Sequence, residues 1–241
     1  MLPILSPYLS GPFANYGKGV GLHTGHTAFT LDEQMKNGML RHEVSTFALS
    51  KGVAKSRSQA SVWHMHYTLQ ILPSIIIAHT VLQQPLTLSL KSVFWHTQLQ
   101  QLQLPDQGMS LYGTSIETRY SDLIFNHLAP LHDWLEQHFS ISNKVLWSNC
   151  TFRFNQFLHA IEHALGHSEH LANEKRMLLS ERYINGHINP LYSKPIMLTN
   201  SFGTYRIRNH CCLLHDVPNK SHCNDCPKLP KHIAHYSANR E

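Results

Sequence analysis

Four cysteines fall within sixteen residues near the end of this 241-residue chain, as Cys211-Cys212, ten residues, then Cys223-Asn224-Asp225-Cys226. Only Cys150 lies upstream. Thiolates at this density form a soft donor set suited to an iron–sulfur cluster or to zinc. Cys223-x-x-Cys226 is a pair that a tight turn brings to one metal. Cys211-Cys212 is the unusual half. In a strand, neighbouring side chains point to opposite faces, so the backbone must bend before both sulfurs reach one centre. A site with two irons spreads four thiolates over two metals and tolerates such spacing better than a zinc ribbon with its two spaced knuckles. Zinc, a redox disulfide and plain buried cysteines remain the other readings of this pattern.

The rest of the composition narrows the classes. Apolar residues make up 42% of the chain, enough for a sizeable core. Lys and Arg number 20 against 15 Asp and Glu, a formal charge of +5. That balance fits an anionic ligand or a membrane surface, and no basic run is dense enough for nucleic acid. Histidine is abundant at 20 copies. The first residues lack the charge pattern of a signal peptide, and no apolar run has the length of a membrane span. An odd number of cysteines argues against a secreted disulfide framework. A cytoplasmic protein is expected, with peripheral docking at the inner membrane compatible with the basic balance.

Periodicity predicts a mainly α protein, α+β with few strands: a helical domain ending in a small cysteine-rich segment. Residues 1–58 read as irregular, 59–200 as the helical body and 201–241 as the cluster segment. Gly17-Lys18-Gly19-Val20-Gly21 reads as a turn, since a phosphate loop would need a Gly-Lys-Ser/Thr ending. Trp63, Tyr67, Ile71 and Ile75 recur every four residues and predict a helix from Gln59 to about Gln84, kinked or broken at Pro73. Leu86 to Leu90 alternates like a strand, and 111–120 reads as another. The glutamine-rich stretch 98–107 reads as a surface connection. Helices are predicted over 121–139, capped by Ser121 and Asp122, over 143–166, and over 168–183. Asn185-Gly186 and Asn189-Pro190 mark turns. From Phe202 onward the chain reads as loops around the cysteines.

The C-terminal motif resembles that of the FhuF-type siderophore-iron reductases. Arg208-Asn209-His210-Cys211-Cys212-Leu213-Leu214 and Cys223-Asn224-Asp225-Cys226-Pro227 carry the resemblance. Trp63-x-x-x-Tyr67 leading into Leu72-Pro73 and the apolar run to Ala78, and Leu146-Trp147-Ser148-Asn149, are similar to upstream segments of that family. The register covers roughly residues 60–230. The N-terminal third has no counterpart, and His215 stands where the family often has an aromatic. The resemblance implies a [2Fe–2S] cluster on Cys211, Cys212, Cys223 and Cys226. It implies transfer of one electron to a ferric siderophore, supplied by a donor of ferredoxin or flavoprotein type. Arg208, His210 and Lys220 are the nearby cations that could raise the cluster potential or meet an anionic ligand.

Two other features have simpler readings. His159-Ala160-Ile161-Glu162-His163 spells H-x-x-E-H, a zinc-peptidase pattern. On a helical wheel, His159, His163, His167 and His170 lie opposite Phe154, Phe157, Leu158, Ile161 and Leu165, as expected for a solvated face. Cys150 and the four tryptophans read as core or groove residues.

Overall fold

A helix of 21 residues, α3 (Ser56–Ile76), forms the axis of the molecule in this computed structural model. The structure describes residues 1–9, 11–25, 28–108, 114–200 and 203–233. The every-fourth-residue pattern buries Trp63, Tyr67, Ile71 and Ile75 fully. Polar residues are buried here too, so α3 is covered nearly all round. Pro73 does not end it. Proline removes one i to i−4 bond within α3, and the chain runs on past it into a π-helical turn at Ile77–Val81.

The N-terminal stretch expected to be irregular contains two helices, α1 (Leu31–Lys36) and α2 (Met39–Ser50). Thr30 and Glu33 close a reciprocal capping box at the start of α1. Leu2, Leu5, Leu31, Leu40 and Val44 enter the main core, so this stretch is part of the body. The Gly-rich turn has a steric role. A Cβ at Gly19 would lie 1.9 Å from the carbonyl oxygen of Gln70, so only glycine lets β1 (Val20–Leu22) run against α3.

The strand predictions need correction. Residues 86–90 form no strand, and Asp122 accepts hydrogen bonds from the Leu88 and Ser89 amides instead of capping a helix. The sheet is β1, then β3 (Gln101–Leu104), then β2 (Phe94–His96), with β1 parallel and β2 antiparallel to β3. Its central strand is therefore the glutamine-rich stretch expected to be a connection. Leu102 and Leu104 are fully buried, and Gln103 between them is buried as well.

The expected strand 111–120 falls partly outside the described residues. Its remainder is helix: α4 (Ile116–Ser121), capped by the Ser115 hydroxyl, runs through a π segment at Asp122–Leu128 into α5 (Ala129–Phe139). Pro130 lies inside this continuous helical run, and the Asn126 carbonyl four residues before it accepts instead from the Leu90 amide at 3.1 Å. Helix α6 (Asn143–Leu165) follows as predicted except that Leu165 is exposed, whereas α7 (Glu169–Leu179) stops short of 183, where Tyr183 enters a strand. Asn185 and Gly186, both at positive φ, form the two-residue turn of the hairpin β4 (Tyr183–Ile184) and β5 (His187–Ile188). A second hairpin, β6 (Ile196–Asn200) and β7 (Gly203–Ile207), then leads into the cysteine segment. That is more order than the loops expected from Phe202 onward.

Candidate functional site

Strand β7 delivers Arg208 to Cys212 directly onto the paired helices α3 and α6. Three contacts fix the approach. The Ser61 hydroxyl on α3 donates to the Cys212 carbonyl at 2.7 Å. Asn149 on α6 donates to Ser61 Oγ at 3.3 Å and accepts from the Arg208 guanidinium at 2.6 Å. The Arg208 amide donates to the Asp225 carbonyl at 2.9 Å, which ties the first cysteine pair to the second.

The bend demanded by adjacent cysteines lies just after them. Leu213 adopts a left-handed conformation with φ 60°, and a 3-10 turn at Leu214–Asp216 follows. Asp216 holds this turn to the body by accepting from Lys55 at 2.8 Å and from the Ser58 hydroxyl at 2.5 Å. These two donors hold the Asp216 carboxyl below the usual range. The Cys226 amide donates to the Cys223 carbonyl, the tight turn that Cys-x-x-Cys predicts, and His232 bonds the Cys226 carbonyl at 2.6 Å.

The thiols come together as two pairs, Cys212 with Cys223 and Cys211 with Cys226. Cys212 Sγ and Cys223 Sγ are 3.4 Å apart. Cys211 and Cys226 share a small apolar nucleus with Leu213, separate from the main core, against which Cys223 and Leu229 pack. Cys211, Cys212 and Cys226 are buried and Cys223 is half-buried. None is in a disulfide. The hydrogen bond from Cys223 holds the Cys212 thiol down at about 6, with help from the Arg208 charge, and the same contact pushes Cys223 up. Burial pushes Cys226 up to about 11. Soft donors that can share negative charge beside a fixed cation are chemically suited to an iron–sulfur cluster.

The three expected cations fare differently. Arg208 lies against the thiols and stacks its guanidinium 4.7 Å from the Phe152 ring centre. His210 is half-buried, its pKa lowered by burial and by Lys144. Lys220 is an exposed turn residue. The sequence reading missed Arg153. It is one helical turn beyond Asn149 on α6, and the charges of Arg208 and Cys212 both act on it. A shared helix face with Asn149 was the available signal. Beside Arg208 a cavity of about 210 Å³ opens, lined by Ser148, Phe152, Asn155, Arg206 and Asp225 among others.

No family model matches the chain. It is similar to the ferric siderophore reductase of Escherichia coli (strain K12), with 26% identity over 112 residues. The match covers 46% of this chain and 41% of that protein, so it spans under half of each.

The histidine face of α6 does not assemble a site. His159, His163, His167 and His170 are exposed. Glu162, the acid of H-x-x-E-H, accepts instead from His167 at 2.9 Å and lies near Lys175. Among the described residues, no helix is long and apolar enough to cross a membrane.

Proposed function

We propose that this chain is a ferric-siderophore reductase whose Cys211, Cys212, Cys223 and Cys226 hold a [2Fe–2S] cluster. The observation that carries the reading is the 3.4 Å contact of Cys212 with Cys223 beside Arg208, in a soft donor set held against α3 and α6. Similarity to a protein named for this activity supports it. A cluster bound there supplies a one-electron carrier for the ferric substrate. Siderophores grip Fe(III) through hard oxygen donors. Adding an electron lowers the charge and softens the ion, so those oxygens lose their hold and Fe(II) leaves.

The chain's own residues position and bias this exchange. Ser61 and Asn149 fix the loop that carries Cys211 and Cys212. Arg208 and Arg153 favour added negative charge at the thiols. The cavity beside Arg208 offers Arg206 and the Phe152 ring to an anionic, aromatic-bearing complex. The electron comes from a ferredoxin- or flavoprotein-type donor in the cytoplasm.

A second reading, a non-enzymatic zinc protein, draws on one observation. Ligand atoms of Cys211, His215 and His222 lie within 4.8 Å of one another. Anaerobic purification followed by iron, sulfide and zinc analysis separates the two. The reductase reading expects a reddish-brown protein with two irons and two sulfides per chain. Its reduced form should be re-oxidised by a ferric siderophore, with Fe(II) captured by a ferrous chelator in step. Cys212→Ser should strip the visible absorption. A colourless zinc protein, or a reduced cluster that no ferric siderophore re-oxidises, defeats the reading.

A further inference from the structure

Deep in the body, three helices converge on one point that the sequence spacing does not reveal. His64 projects from α3, His132 from α5 and Cys150 from α6, and all three are fully buried. The two Nε2 atoms are 2.9 Å apart. Cys150 Sγ lies 3.7 Å from His64 Nε2 and 3.8 Å from His132 Nε2. A single ion bonded at about 2.0 Å to nitrogen and about 2.3 Å to sulfur spaces its donors roughly 3.3 to 3.8 Å apart. The sulfur–nitrogen distances already match, and the two nitrogens need to part by only a few tenths of an ångström.

The surroundings give these groups little else to do. Neither ring finds a hydrogen-bond partner at Nδ1. Their polar capacity is therefore directed at each other and at the sulfur, in a core where buried polar groups normally find several partners. Trp147 packs edge-on to His132, with ring centres 4.3 Å apart. The nearest other histidine, His127, is engaged by the Tyr67 hydroxyl and the Leu88 carbonyl. The charges that reach the two rings come from Arg153 and from other histidines, and no carboxylate acts on them.

We propose that His64, His132 and Cys150 form a second, mononuclear metal site that takes Cu(I). Three donors with no fourth ligand among the described residues suit a three-coordinate ion, whereas structural zinc takes four. One thiolate with Cu(I) and two neutral imidazoles has no net charge. Zn(II) in the same place leaves one positive charge in a dry core already facing Arg153, with no acid to offset it. The thiolate is also the softest donor available, which favours Cu(I). The site is separate from the C-terminal thiols and stands whether or not they bind a cluster.

The test is anaerobic Cu(I) titration of the full chain against a competing Cu(I) chelator, with X-ray absorption at the copper edge. One equivalent should resist the chelator and show two nitrogen neighbours and one sulfur. Cys150→Ala and, separately, His132→Phe should weaken retention at least about a hundredfold, beyond the loss typical of an outer-shell change. Both should keep their iron and sulfide. A copper shell of sulfur alone, which is the signature of the C-terminal thiols, overturns the proposal. So does full retention in either variant, or zinc in place of copper at that shell. If a variant fails to fold by far-UV circular dichroism, the absorption shell of the unaltered chain decides.

Discussion

Arg208 joins more of the candidate site than any other side chain. It bonds Asn149, stacks on Phe152, and its charge lowers the Cys212 thiol. Replacing it with glutamine removes the charge but keeps a donor. If the thiols hold the proposed cluster, Arg208→Gln should retain its iron, shift it to a lower potential, and slow re-oxidation by an anionic ferric siderophore at low salt by about tenfold. The salt dependence should flatten, since exposed charges are screened beyond about 8 Å at physiological ionic strength. Unchanged potential and unchanged salt dependence would remove Arg208 from the mechanism. At this scale, the sequence showed which thiols are dense and which cations are near in the chain. It could not show that Arg208 turns inward while Lys220 stays in solvent, because the Asn149 and Phe152 that hold Arg208 come from a helix over fifty residues upstream.

Among the elements, α4, the π turn after α3 and α7 are joined by one buried polar group. Glu174 on α7 pairs with Arg119 on α4 at 2.8 Å, both almost fully buried. It also accepts from the Thr80 hydroxyl at 2.5 Å, while Thr80 bonds Tyr120 at 2.8 Å. Thr80 lies in the π turn after α3, so this pair fixes the place where α3 departs from regular spacing. Glu174→Ala should cost about 3–5 kcal/mol, because it leaves the Arg119 charge buried and unpaired. Arg119→Met with Glu174→Leu should cost much less. Urea denaturation of the three proteins checks both. Helices with clear apolar periodicity were legible because burial on one face is a local pattern. The sheet was not. Its central strand is four residues, Gln101–Leu104, and the stronger alternation at 86–90 forms no strand, its Leu88 and Ser89 amides donating to Asp122.

At the scale of the molecule, burial keeps four core histidines uncharged. His64 and His79 are held near 3 and His127 near 4, and His132 is pushed well below its ordinary value. The unfolded chain takes up these protons at about pH 6.5 and the folded chain does not. Stability is therefore full above pH 7 and falls as pH drops from about 6.5 toward 3–4. Between pH 7.5 and 5.5 each of these histidines should contribute a loss of about 1.4 kcal/mol. Urea midpoints across that range check the slope, and a flat profile would mean the histidines are charged or exposed in the folded state.

The cysteine segment should behave as an appendage at this scale. Its apolar nucleus is separate from the main core, and it is tied down by polar contacts at Ser61, Asn149, Lys55 and Ser58 and by Val217 packing on a small cluster of Ala48, Val53 and Val62. A chain ending at Asn200 should keep its helical circular dichroism and lose its iron. Global unfolding of that truncation would place the segment in the core.

The sequence by itself determined where the thiols concentrate, which helices have an apolar face, and that Asn185-Gly186 marks a turn. Each is set by neighbours a few residues apart, so spacing alone carries it. Only the tertiary structure decided which charge reaches the sulfurs, that α3 runs on past Pro73 into a π turn, and that His64, His132 and Cys150 meet. Those outcomes depend on three helices packing at one depth. The ligands they bring together are separated by 68 and 18 residues, a distance over which no local pattern constrains the chain.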